Sequence, residues 1–230
     1  MHRPTTEINF VEALFGLTLQ PGETTEVLFD EDPPRFGLAC LLCFLAAIFA
    51  PIAGHYLKYG VTLINTSAVF SLGIVVGMTF LVFLLVEAIL LRLLGVQASV
   101  AQLFALVCYT LTPFTFGMLL IYLFNYFAHG GLTVVTLLLT GFSDVNDRFL
   151  GILPYAILII ELNALLVFWY SLRALGRLGV VSATALTILS VVPFYGSLLV
   201  GLLVGESARP GTIEIFKKIL FAPELLTAVG

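Results

Sequence analysis

Three long stretches of this chain contain no Asp, Glu, Lys or Arg: Val61 to Val86, Leu93 to Ser143, which holds only His129, and Leu178 to Gly205. A soluble surface draws about a quarter of its residues from Asp, Glu, Lys and Arg, so none of these stretches can coat a water-soluble domain. Over all 230 residues only 10% are charged, 60% are hydrophobic, and the mean hydropathy is +1.11. The fold class that follows is all-α: a polytopic transmembrane helical bundle, since a helix satisfies every backbone polar group within its own segment. At about 20 residues per crossing the chain accommodates about five spans, with no length left for a soluble catalytic domain.

The spans read as 36–56, 61–94, 101–127, 149–171 and 180–205, forming a bundle over 36–205. The run 61–94 would measure about 51 Å as one straight helix, so it must tilt, bend or start outside the hydrocarbon. The apolar segment 131–143 is too short to cross and reads as re-entrant or interfacial. An amphipathic N-terminal segment, 1–35, precedes the bundle. Within it Ile8, Val11, Leu14 or Phe15, and Leu19 recur at helical spacing, predicting a helix on the membrane surface or against the bundle. Pro21-Gly22 should end that helix, with a short turn following through Val27, Leu28 and Phe29. Residues 206–230 form an amphipathic C-terminal tail, with Ile213, Phe216, Ile219 and Leu220 on one face and Lys217-Lys218 on another. Arg3, Arg35, Arg92, Arg173 and Arg177 fall on the N-terminal side of five spans, and Lys58, Arg148, Arg209, Lys217 and Lys218 fall opposite, an even count in which the charges close to the early spans favour a cytoplasmic N-terminus.

Chemistry-bearing residues are few. Glu161, at the middle of its span, is the sharpest candidate, because an intramembrane carboxylate is costly unless paired or hydrated. Asn163 adds a second polar group, but on another face. Glu87 lies near a span end, and a partner in another span or interfacial exposure accounts for it. Pro113 and Pro193 interrupt their spans within similar surroundings, Pro113-Phe114-Thr115-Phe116-Gly117 and Pro193-Phe194-Tyr195-Gly196, and such pairs of kinks can mark a transporter site. Gly73-x-x-x-Gly77 and Gly201-x-x-x-Gly205 suit close helix packing. Cys40, Cys43 and Cys108 read as small thiols on packing faces. No nucleophile–base pair, metal-ligand cluster or phosphate-binding loop is spelled out, so the sequence suggests no catalytic residue, no metal and no cofactor. With a net charge of −4, nucleic acid is not an expected partner either.

Several motifs in order resemble the Yip-domain family of multi-pass membrane proteins, named for interaction with Ypt/Rab GTPases. They are Leu19-Gln20-Pro21-Gly22-Glu23 with Val27-Leu28-Phe29 before the first span, and Leu93-Leu94-Gly95-Val96-Gln97-Ala98-Ser99-Val100 leading to Leu106-Val107-Cys108-Tyr109-Thr110-Leu111-Thr112-Pro113. The third is Phe168-Trp169-Tyr170-Ser171-Leu172-Arg173-Ala174-Leu175 with Ser182-Ala183-Thr184-Ala185. The resemblance implies a five-span bundle with a cytoplasmic N-terminus and no catalytic residues. The family's Asp-Leu-Trp-Gly-Pro segment before the first span is missing, which speaks against GTPase binding and for a bacterial inner-membrane member. The expected role is a non-enzymatic subunit or organiser that packs against membrane lipid, another membrane protein or a second copy. The alternative is a transporter or lipid-translocating permease using Glu161 in a hydrated cavity near the kinks at Pro113 and Pro193.

Overall fold

The computed structural model describes residues 8–30, 34–47, 66–129 and 147–213. They form eight helices: α1 (Phe10–Leu19), α2 (Pro21–Asp30), α3 (Gly37–Ala47), α4 (Thr66–Leu93), α5 (Val100–Thr110), α6 (Thr112–His129), α7 (Asp147–Gly176) and α8 (Val180–Ala208). No strand occurs among the described residues. Four spans are long and apolar enough to cross a bilayer: Gly73–Leu93, Val100–Leu120, Tyr155–Gly176 and Val180–Ala208. Helix α3 is the described part of the expected first span; its continuation to residue 56 lies outside the described residues, as do 131–143 and the tail beyond Ile213.

The helix ends follow from local chemistry. Asn9 and Glu12 form a capping box at the start of α1, the Glu12 amide donating to Asn9 Oδ1 at 2.9 Å and the Asn9 amide to Glu12 Oε2 at 3.1 Å. Ser99 and Gln102 repeat the device at α5. Proline lacks the amide that would continue a helical ladder, and Pro113 sits just after a break at Leu111 that divides the expected third span into α5 and α6. Pro193, by contrast, lies inside an unbroken α8.

The N-terminal segment departs from the sequence expectation. Helix α1 ends at Leu19, just before Pro21-Gly22, as expected, but a full helix rather than a short turn follows, because proline at a first helical position sacrifices only an amide that has no intrahelical partner. Helices α1 and α2 fold into a hairpin, with Gly16 set against Thr24. The hairpin packs on the bundle: Gly22 lies against the Tyr170 ring, where an added Cβ would come within 2.9 Å. Phe15 meets Phe116 at 5.0 Å between centroids. Ala13, Leu17, Leu28 and Phe29 join the same buried cluster as Leu106, Tyr109, Val167 and Leu172, so the core runs through the N-terminal segment. The buried side of α1 is Ala13 and Leu17, whereas Val11, Phe15 and Leu19 face outward at 60%, 50% and 74% exposure. An apolar outer stripe is unsuited to water, and its periodicity matches the outer face rather than the core face.

Helices α4 and α8 form the most extensive pair, and their register is visible in successive layers. Phe83 meets Phe194 edge-on at 5.6 Å, Glu87 meets Ser190, and Gly201 lies against Val75 and Thr79. Residue numbers rise along one helix as they fall along the other, so the two run antiparallel. Helix α7, joined to α8 by a short turn, therefore runs parallel to α4, and Arg92 and Arg173 lie at the same end of the bundle.

Candidate functional site

The buried face of α8 consists of Ala183, Leu186, Ser190, Ser197, Gly201 and Gly205, while Ile188, Leu189, Val192, Leu199 and Leu203 point outward. Apart from Leu186, small and polar groups lie inside and branched apolar ones outside, the reverse of a water-soluble bundle. With lipid outside, burial of leucine contributes no driving force, and close backbone approach and interhelical hydrogen bonds hold the helices together. The chain is an integral membrane protein.

Two features stand out within this membrane bundle. The first is Glu87. It is fully buried, and its Oε1 accepts a 3.0 Å hydrogen bond from the Ser190 hydroxyl of α8. That hydroxyl also lies 2.9 Å from the Leu186 carbonyl, so one proton serves two acceptors. Glu87 Oε2 is buried with no hydrogen-bond partner among the described residues. Ser197 Oγ, two turns along the same face of α8, is also buried and unpartnered. The sequence reading allowed Glu87 a partner in another span; nothing in the local sequence singled out Ser190. A signal was nonetheless available in the seven-residue recurrence of Ala183, Ser190 and Ser197, continued by Gly201, which marks a small-residue face.

The second feature is a half-open cleft of ≈ 360 Å³ between α3, α4, the α5–α6 break and α8. Its walls include Phe44, Phe80, Phe83, Phe114, Phe194 and Leu198, and Gly73 and Gly77 lie along it. Thr79 is the one polar side chain among the described lining residues, and its hydroxyl is occupied by the Val75 carbonyl at 2.7 Å. The volume lies within the usual range for small-molecule pockets, about 300–1,000 Å³. The cleft draws together the neighbours of both prolines, Phe114 next to Pro113 and Phe194 next to Pro193, and its apolar lining offers little to water.

Glu161 lies elsewhere. It is half-buried on α7, does not line the cleft, and makes no hydrogen bond or ion pair among the described residues. Phe83 and Phe168 meet at 6.0 Å, and with α4 and α7 parallel, Glu87 and Glu161 diverge from that contact to about 16 Å apart along the bundle. Asn163 faces α1, its Nδ2 donating to the Thr18 carbonyl at 3.2 Å, and so anchors the tip of the hairpin. The four glycines divide. Gly201 and Gly205 are buried, Gly201 in contact with α4, while Gly73 and Gly77 are exposed with no atom of the described residues within 4 Å of an added Cβ. Cys40 and Cys108 are buried, Cys43 is half-buried, and all three are free thiols. Among the described residues no group of three or more His, Cys, Asp or Glu side chains converges on a metal position.

No protein-family model matches this chain, and neither the curated proteins nor the solved structures searched contain a match.

Proposed function

We propose that this integral membrane protein is a non-enzymatic, Yip-like subunit or organiser that packs against another component of its membrane. The observation that carries the reading is the apolar cleft with Gly73 and Gly77 exposed along it. Two glycines one turn apart let a neighbouring backbone approach closely, the usual device of helix association in lipid. The occupant that suits such a surface is a transmembrane helix of a partner. A bacterial inner-membrane location with the N-terminus in the cytoplasm belongs to the same proposal. Its support is the position of Arg92, Arg173 and Arg177 near the same end of the bundle, the distribution that the positive-inside rule assigns to the cytoplasmic face.

The test compares the full chain with a Gly73→Leu/Gly77→Leu variant that fills the cleft. A photo-crosslinking side chain at Phe80 would be activated in native membranes of the source cell for both proteins. A discrete protein adduct formed by the parent and lost in the filled variant supports the reading. An adduct pattern unchanged by filling, or crosslinks to lipid alone, refutes a helix as the occupant.

A further inference from the structure

Past the aromatic pair Trp169-Tyr170, helix α7 ends beside α2 in a half-open pocket of ≈ 210 Å³ lined by Glu26, Tyr170, Arg173, Ala174, Arg177 and Leu178. At about 30 Å³ per water, this space holds roughly seven waters, or a polar group of similar size. Three observations set it apart from ordinary basic residues at a helix end. Arg173 is held in place, its guanidinium lying 4.9 Å from the Trp169 ring centroid, yet its Nε is buried with no hydrogen-bond partner among the described residues. Arg177 occupies left-handed backbone, φ 48°, at the position after the helix where glycine is usual, while the Leu178 amide closes the turn on the Arg173 carbonyl at 3.2 Å. Finally, neither arginine makes an ion pair among the described residues, although Glu26 lines the same pocket. Attraction to the helix dipole would be served equally well by solvated arginines on a glycine-terminated helix, and it requires neither a buried Nε nor the strained Arg177.

We propose that this pocket binds a phosphoethanolamine group, with its phosphate on Arg173 and Arg177 and its ammonium on Glu26. Two guanidinium forks suit phosphate oxygens, and the carboxylate across the pocket selects a ligand that carries a positive charge as well. Tyr170 and the indole of Trp169 belong to the residue types that collect at the level of lipid headgroups, so the first source of this chemistry is a phosphatidylethanolamine headgroup, and the second is free phosphoethanolamine. The proposal is independent of what occupies the apolar cleft.

Trp169 is the chain's one tryptophan and lies directly under Arg173, so its fluorescence reports on the pocket. The full chain in neutral detergent would be titrated with short-chain phosphatidylethanolamine, short-chain phosphatidylglycerol and free phosphoethanolamine. Saturable binding of the ethanolamine lipid is expected, about tenfold or more tighter than the glycerol lipid, as for one charge-assisted hydrogen bond. Arg177→Gly should weaken it by at least about tenfold while leaving thermal stability undiminished, because glycine relieves the left-handed residue. Glu26→Gln should abolish the preference for ethanolamine over glycerol. Free phosphoethanolamine binding as tightly as the lipid would support the pocket chemistry with a soluble source; weaker binding assigns it to lipid. The absence of a saturable response, an unchanged affinity in Arg177→Gly, or a preserved preference in Glu26→Gln overturns the proposal.

Discussion

Replacing Gly201 with alanine tests how α4 and α8 are held together. The new methyl carbon would lie 2.5 Å from Thr79 Oγ1, 2.6 Å from the Val75 carbonyl oxygen and 3.3 Å from the Thr79 nitrogen. Carbon–oxygen contacts between packed helices settle at about 3.3–3.6 Å, so relief from the Val75 carbonyl requires a separation of about 0.7–1.0 Å. Because that oxygen belongs to the backbone, no side-chain rotation can supply it, and the whole helix contact must open. Such overpacking costs about 1–3 kcal/mol. Alanine also gains about 1 kcal/mol of helix propensity over glycine, which would mask part of the loss. Gly77→Ala removes that ambiguity: it carries the same propensity gain with no atom of the described residues within 4 Å of the new methyl. The two variants should therefore differ by about 1–3 kcal/mol, Gly201→Ala being the less stable. At about 2–4 °C per kcal/mol for a chain of this size, the separation in melting temperature is roughly 2–12 °C, readable in detergent through Trp169 fluorescence. Adding Thr79→Ala should recover only part of the loss, since the Val75 carbonyl remains. Equal melting of the two variants, or higher melting of Gly201→Ala, would refute the close α4–α8 approach.

Three further outcomes are expected. Ser190→Ala removes the donor from buried Glu87 and should cost about 1–3 kcal/mol; combining it with Glu87→Leu should cost less than the sum of the two single changes, as a double-mutant cycle would read. Asn163→Leu removes the hydrogen bond to the Thr18 carbonyl, worth about 0.5–1.5 kcal/mol, and should increase hydrogen exchange across α1 and α2 while exchange in α8 stays the same. Arg177→Gly should raise stability by about 1 kcal/mol, because the left-handed backbone then carries no Cβ; a lower melting temperature would contradict the strain argument.

Much of the architecture is written in composition and periodicity. Charge-free runs of this length read as helices in lipid, because a helix satisfies every backbone group within its own segment. Charge does not mark the helix ends, however: Glu87 and Arg92 lie inside α4 and Glu206 inside α8. Capping residues such as Ser99 and the amide-free Pro113 act over a single turn, so their influence on helix ends is also local. Which face of each helix turns inward is a different matter. In water, apolar periodicity marks the core; in lipid both faces are apolar, so the stripe Val11, Phe15 and Leu19 suited the membrane surface as well as the bundle, and it is the outer face. For the same reason Glu161 stood out by its central place in a span, while Glu87, nearer an end, turned out to be the enclosed carboxyl. Enclosure depends on Ser190, 103 residues away in sequence, and on the α4–α8 register that brings them level. Likewise Gly73-x-x-x-Gly77 and Gly201-x-x-x-Gly205 are the same motif as text, yet one lies along an open cleft and the other is packed inside. The sequence by itself determined that this chain lives in a membrane as helices. Only the tertiary structure decided which side chains those helices hide, because in a bilayer that choice rests on interhelical contact rather than on an aversion to water.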